Sequence, residues 1–232
     1  MANGRCESIL SMGMMTRLTM IAAASAALLA ACDGQTDGAA RLATPTLSQT
    51  STATRPPGGE ATILFRVQVS STGLQSRWLE NGKRETDFVE VSLAGTLHDP
   101  PLQLAVTNRG GASWDAPVSA ALSDFSAFKA DDDDWILENF VSEEHGEVRD
   151  FLNNADLREL NRRLFEDKEH MYVSGEVEYR GFVFVLAEGS EQATPRPLTF
   201  EKTDEGWKRT NKLSDDQTFD IVFSALASGE YR

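Results

Sequence analysis

Cysteine is nearly absent: 232 residues hold only Cys6 and Cys32, which excludes a disulfide framework and a cysteine-built metal centre. Histidine is equally scarce. His98, His145 and His170 show no H-E-x-x-H spacing, and the glutamates around His145 (Glu143, Glu144, Glu147) would spread around a helix surface. Basic charge is short as well. Against 36 acidic residues stand 22 Lys and Arg, a formal net charge of −14. Nucleic acid needs a basic surface, so it is excluded as a partner. No G-x-S-x-G, P-loop or G-x-G-x-x-G occurs, and no cofactor is expected. Long apolar runs are missing too. The longest candidate, Leu18 to Ala31, is fourteen residues, roughly 21 Å as a helix against a bilayer core of ~30 Å.

Two local patterns suggest chemistry and fail on inspection. Asp131 to Asp134 suggests calcium, but an EF-hand loop counted from Asp131 needs glycine and glutamate where Ile136 and Ser142 stand. The carboxylates suit a helix N-terminus instead. "SAFK", Ser126 to Lys129, matches the S-x-x-K of penicillin-binding proteins, yet Lys202-Thr203 is followed by Asp204 and no S-D-N occurs. Phe125 and Phe128 make that stretch an amphipathic helix.

The apolar run is informative for where it ends. Arg17, the run "LTMIAAASAALLAA" and the small residues after it have the layout of a secretory signal over residues 1–31. "LAAC", Leu29 to Cys32, resembles the lipobox of bacterial lipoproteins. That resemblance implies cleavage between Ala31 and Cys32 and diacylglycerol on the Cys32 sulfur, with a further acyl chain such as palmitate on the new amino terminus. At about 0.8 kcal/mol per buried CH₂, two or three chains hold a protein on a membrane almost permanently. The implied location is the cell envelope, lipid-anchored and facing the periplasm. Asp33 resembles an inner-membrane retention signal, and the outer membrane stays open. Met1 to Gly13 precede a signal already complete from Met14 or Met15, so the natural start is expected there and Cys6 is expected to be missing from the product.

Residues 32–60 follow as the lipidated cysteine and a tether rich in Gly, Ala, Ser, Thr and Pro without apolar period. Its reach as coil is roughly 30 Å. Of the 22 basic and 36 acidic residues, Arg5, Arg17 and Glu7 leave with residues 1–31, so 20 basic and 35 acidic remain, a net of −15. The membrane partner is therefore met through the lipid, not through the domain's charge.

Residues 61–232 are expected to form a globular α+β domain. Ile63, Phe65, Val67 and Val69 alternate as in a half-buried strand. "LQSRWLE" reads as a second strand turned at Asn81-Gly82 into "KRETDFVEVSLAGTL", and "PPLQLAVTN" as a fourth, giving a β-meander over 61–112. Three helices follow, one from Asp115 and Pro117, one on "WILENFV" and one from Ser142, then a short turn from Asp156 with Glu159. "MYVSGEVEYRGFVFVLAEG" and "RPLTFEKTDEGWKRTN" form a second meander. A final helix capped by Ser214 and Gln217 buries Phe219, Val222, Phe223 and Leu226 and stops at Gly229. It should pack on the sheet or seal a homodimer.

From Pro117 to Asn211 the order resembles the nuclear-transport-factor-like cone fold shared with ketosteroid isomerases, in which helices fill a strongly curved sheet. "SAFKADDDDWILENFV" and "FEKTDEGWKRTN" carry the likeness. It implies a pocket in a cone-like part over 113–232. Tyr172, Tyr179 and Trp135 are the candidate pocket residues, and none is assigned as catalytic. Two functions stay open. One is a membrane-anchored, non-catalytic lipoprotein that binds a protein or small molecule in the envelope. The other is a small cofactor-free enzyme using the pocket. A buried, unpaired carboxylate deep in a pocket favours the enzyme; a flat apolar patch or dimer seam favours the binding protein.

Overall fold

The computed structural model describes residues 61–232. The signal, the Ala31–Cys32 junction, Cys6, the start at Met14 or Met15 and the 33–60 tether lie outside the described residues.

The chain forms an α+β domain on one six-stranded antiparallel sheet in the order β1 to β6, so every strand pairs with its sequence neighbours and the sheet stays open. The strands are β1 (Ala61–Gln68), β2 (Phe88–Ala105), β3 (His170–Tyr179), β4 (Phe182–Glu188), β5 (Arg196–Thr203) and β6 (Gly206–Arg209). The helices are α1 (Gln75–Glu80), α2 (Pro117–Ala130), α3 (Asp133–Asn139), α4 (His145–Leu152), α5 (Ala155–Phe165) and α6 (Gln217–Ser228).

Alternation on β4 gives the sheet its two faces, because successive side chains point to opposite sides. Val183, Val185 and Ala187 pack with Ala120, Ala121 and Phe125 of α2. Phe184 and Leu186 pack with Ile221, Val222, Ala225 and Leu226 of α6. β4 is thus covered on both faces, α2 on one and α6 on the other. α3 and α4 close over α2 through Trp135, Ile136, Val148, Phe151 and Leu152, and α5 through Leu157 and Phe165. α2 is therefore buried nearly all round, and its Ala and Ser side chains allow that close approach.

The first meander differs from expectation. "LQSRWLE" is helix α1 and not a strand, with none of its residues buried. β1 pairs directly with β2 from Ala61↔Gly95 to Gln68↔Phe88, which leaves no edge for a strand between them. Gln, Arg, Leu and Glu are good helix formers, and Gly82 at φ +82 follows α1 instead of turning a hairpin. The expected third and fourth strands are one long strand, β2, with a register shift between Leu97 and Leu102. A matching irregularity in β3 leaves Ser174 as an extra residue between Val173↔Ala187 and Gly175↔Leu186. The bulge reverses the side-chain alternation. Met171 and Val173 face α2, whereas Val177, past the bulge, faces α6.

The helical corrections are smaller. Four helices lie between the meanders, because the expected short turn is α5, eleven residues capped by Asn154, whose side chain accepts from Asp156 N and Leu157 N. α6 is capped by Asp216, not Ser214. Its buried stripe is Ile221, Val222, Ala225 and Leu226, and Phe223 is 40 % exposed. Asp220 sets this rotation: its carboxylate accepts from Gly73 N (2.8 Å) and Leu74 N (3.3 Å), which turns the helix toward the 73–74 loop. Phe223→Ala should therefore cost about 1 kcal/mol or less, most of it the lost stacking on Phe219. Leu226→Ala should cost about 2–5 kcal/mol. Urea unfolding of the two variants should rank them in that order, and a reversal would mean that α6 packs on its other face.

Candidate functional site

One cavity stands between the helices and the sheet. It measures about 180 Å³ and is lined by α2, α4 and α5 on one side and by the ends of β4 and β5 on the other. Phe125, Phe128, Phe151 and Phe165 form its aromatic wall. Phe125 meets Phe165 edge to face at 4.9 Å, Phe128 stacks on Phe165 at 5.8 Å and meets Phe151 edge to face at 6.3 Å. Leu164, Ala187, Ala193 and Leu198 add to the apolar lining.

Charged groups are set into this lining. Asp124 lies on the stripe of α2 that carries Ala120, Ala121, Phe125 and Phe128, so its carboxylate is carried inward with them. Its side chain is 2 % exposed, and Oδ2 accepts from Arg209 Nη1 at 2.6 Å. Oδ1 is buried with no hydrogen-bond partner among the described residues. Burial pushes the Asp124 carboxyl up against the opposing pull of Arg209. Arg209 closes β6, and its guanidinium lies over Phe140 at 5.1 Å and Phe128 at 5.8 Å. The backbone of Arg209 is held as well, since its carbonyl accepts from Val141 N at 3.1 Å.

Glu188, at the end of β4, borders the cavity, but it follows Ala187 in the strand and pairs with Tyr172, so its carboxyl lies on the opposite face of the sheet, toward Tyr231. Burial pushes its carboxyl up to about 7, with Arg196 pulling the other way, and Oε2 is buried without a partner among the described residues. Burial in turn lowers Arg196. Glu188 thus holds its proton at pH values where an ordinary glutamate, near 4.5, has lost it. Between about 4.5 and 7 the folded chain binds more protons at this site than the unfolded chain, so stability falls as pH rises through that window. Glu188→Gln should flatten that fall and be more stable than the parent above pH 7. Urea midpoints at pH 5, 6, 7 and 8 check this, and parallel curves for the two proteins would contradict it.

The residues singled out from sequence lie elsewhere. Trp135 is buried among the helices, and its Nε1 donates to Ser123 Oγ at 2.9 Å. That hydroxyl donates to Asn139 Oδ1 at 2.7 Å, which also accepts from Trp114 Nε1 at 2.8 Å. The network joins α2 to α3. Tyr179 packs on Phe184 on the α6 face, and its hydroxyl donates to Asp216 at 3.3 Å. Tyr172 pairs with Glu188 across β3 and β4 and alternates with Met171 and Val173, which face α2. None of the three lines the cavity. Asp124, Arg209, Glu188 and Arg196 were not singled out. Only Asp124 had a signal in the sequence, a carboxylate in the middle of an apolar helical stripe.

Among the described residues no group of His, Cys, Asp and Glu could hold a metal ion, and no helix is long and apolar enough to cross a membrane. Comparison with protein families, curated proteins and solved structures finds no match to this chain.

Proposed function

We propose that this chain is a lipid-anchored envelope protein whose cone-like domain binds a small, largely apolar molecule in the cavity between α2, α5 and the sheet. The cavity carries the reading. At about 180 Å³ it is close to the ~150 Å³ of apolar cavities that take up benzene. Its ring contacts shape one wall, and two of its polar side chains, Asp124 and Asn161, are buried there, as in small-molecule sites generally. The anchor rests on the lipobox-like "LAAC" and on the acidic charge, which gives the domain no attraction of its own for anionic lipid.

Two measurements test the two parts. Mass spectrometry of the protein from its own host should find an acylated Cys32 as first residue; an unmodified peptide running through Ala31-Cys32 in most of the protein would refute the anchor. Titration with toluene should shift the NMR resonances of Phe125, Phe151 and Phe165, and Leu198→Trp, which fills the cavity, should abolish the shifts. Binding that survives Leu198→Trp would place the ligand elsewhere.

A second reading has its own observation. Glu188, titrating at about 7, is poised to give and take a proton near neutral pH, as a general acid–base group must. A cofactor-free enzyme that used this carboxyl would lose turnover in Glu188→Gln while keeping its affinity for the substrate.

A further inference from the structure

We propose that the ligand of this cavity is a small aromatic monocarboxylate, its carboxylate held by Arg196 and its ring lying among Phe125, Phe151 and Phe165. The inference rests on the reading of the cavity as a ligand site and specifies the charge of the ligand.

Arg196 is an exception among the shielded cations of this chain. Lys129, Arg158, Lys168, Lys208 and Arg209 are each at least partly buried, and each reaches a carboxylate or a carbonyl oxygen. Arg196 is partly buried too, yet among the described residues no hydrogen bond or ion pair holds its guanidinium. Burial lowers its pKa, and Glu188 opposes this only through space. A guanidinium presents its N–H donors as a rigid fork that fits a carboxylate. Shielding that fork from water without an acceptor is unfavourable.

Strand geometry puts this group at the cavity. Arg196 pairs with Ala187 and alternates with Leu198 along β5. Ala187 and Leu198 both pack on the α2 face of the sheet, and all three residues line the cavity. Lys168 stands in the same lining. Its stem lies against Gly189, where an added Cβ would come within 3.2 Å of it, and its Nζ pairs with the exposed Asp167 at 3.0 Å.

The sign of the ligand follows from how these charges pair. Asp124 is already joined to Arg209, and the carboxyl of Glu188 is turned to the other face of the sheet. What remains for the cavity is positive, in a chain whose formal net charge is −14. A cationic ligand would be repelled there, and an apolar one would leave the Arg196 fork unfilled. A carboxylate fills the fork with two parallel N–H···O bonds and brings one charge. A phosphate monoester brings nearly two, more than one unpaired guanidinium offsets. The aromatic wall supplies edge and face contacts for a ring.

The discriminating pair is phenylacetate and phenylacetamide, which share size and shape and differ in charge. Calorimetric titration of the full chain at pH 7 should give phenylacetate about tenfold tighter or more, because hydrogen bonds between charged groups exceed neutral ones. Arg196→Met keeps an apolar stem and removes the fork, and it breaks no hydrogen bond within the chain. It should bind phenylacetamide within about threefold of the parent and lose the preference for phenylacetate. Leu198→Trp, which fills the cavity, should abolish binding of both.

Phenylacetate binding no tighter than phenylacetamide in the parent would overturn the carboxylate assignment and leave the cavity reading intact. A preference that persists in Arg196→Met would also overturn it. Phenyl phosphate binding more tightly than phenylacetate would overturn the single charge. Phenylacetate binding that survives Leu198→Trp would show an ion pair at the surface alone and overturn the proposal. If phenylacetate, phenylacetamide and toluene all fail to bind, the cavity reading itself fails.

Discussion

Replacing Arg209 by methionine should remove about 3–5 kcal/mol of stability, a large fraction of what holds a typical domain folded. The reason lies in its partner. Asp124 is 2 % exposed, and among the described residues Arg209, with Nη1 at 2.6 Å, is the cation paired with it. Without the guanidinium the carboxylate faces Phe125, Phe128 and the sheet with no counter-ion, and it must either stay charged at high cost or take up a proton. Adding Asp124→Asn to the methionine variant should restore most of the loss, since a neutral amide costs far less to bury. The pair should thus show strong coupling in a double-mutant cycle. Urea unfolding at pH 7 measures it. A loss under about 1 kcal/mol in Arg209→Met, or no recovery in the double variant, would mean that water reaches Asp124 and screens it as at a surface.

That pair also marks the limit of what the sequence made legible. Period-two alternation identified β1, where Ile63, Phe65 and Val67 are buried as expected, with Val69 buried just beyond the strand's end. The second meander was legible for the same reason. Gly229, at φ +73, ends the last helix as its position suggested. Failures came where a long-range partner decides. Asn81-Gly82 is a strong hairpin signal only if strands flank it; here β1 had already found β2, so the intervening residues became a helix. The rotation of α6 depends on Asp220 meeting the 73–74 loop, a contact 146 and 147 residues apart in sequence. The candidate site failed for a related reason. Tyrosines on a strand were an obvious choice, but the bulge at Ser174 decides which face each β3 residue joins. The pairing of Asp124 with Arg209 spans 85 residues and leaves no spacing pattern. A charged residue on an apolar helical stripe was the one available sign.

The bulge carries the second large prediction. Gly175→Ala should destabilise the domain by about 3 kcal/mol, although glycine-to-alanine changes often stabilise a chain by restricting its unfolded state. Gly175 sits where β3 passes close to β2. A methyl group there would lie 2.5 Å from Thr96 O and 2.9 Å from Leu97 Cδ2. The first of these is backbone and cannot swing aside. The crossing is tight from both strands, because a Cβ on Gly95 would meet Glu176 O at 2.4 Å and Val177 Cα at 3.0 Å. Relief requires β2 and β3 to separate, which would disturb the packing of Ile63, Leu93 and Val177 under α6. The same change has the opposite sign elsewhere. Gly146 lies in α4 with nothing within 4 Å of an added Cβ, so Gly146→Ala should stabilise by about 0.5–1 kcal/mol through helix propensity and the restricted unfolded chain. Urea midpoints of the two variants should move in opposite directions from the parent. Gly175→Ala unfolding at or above the parent midpoint would show that the two strands can part at no cost, and that the sheet does not depend on this crossing for its two-faced core.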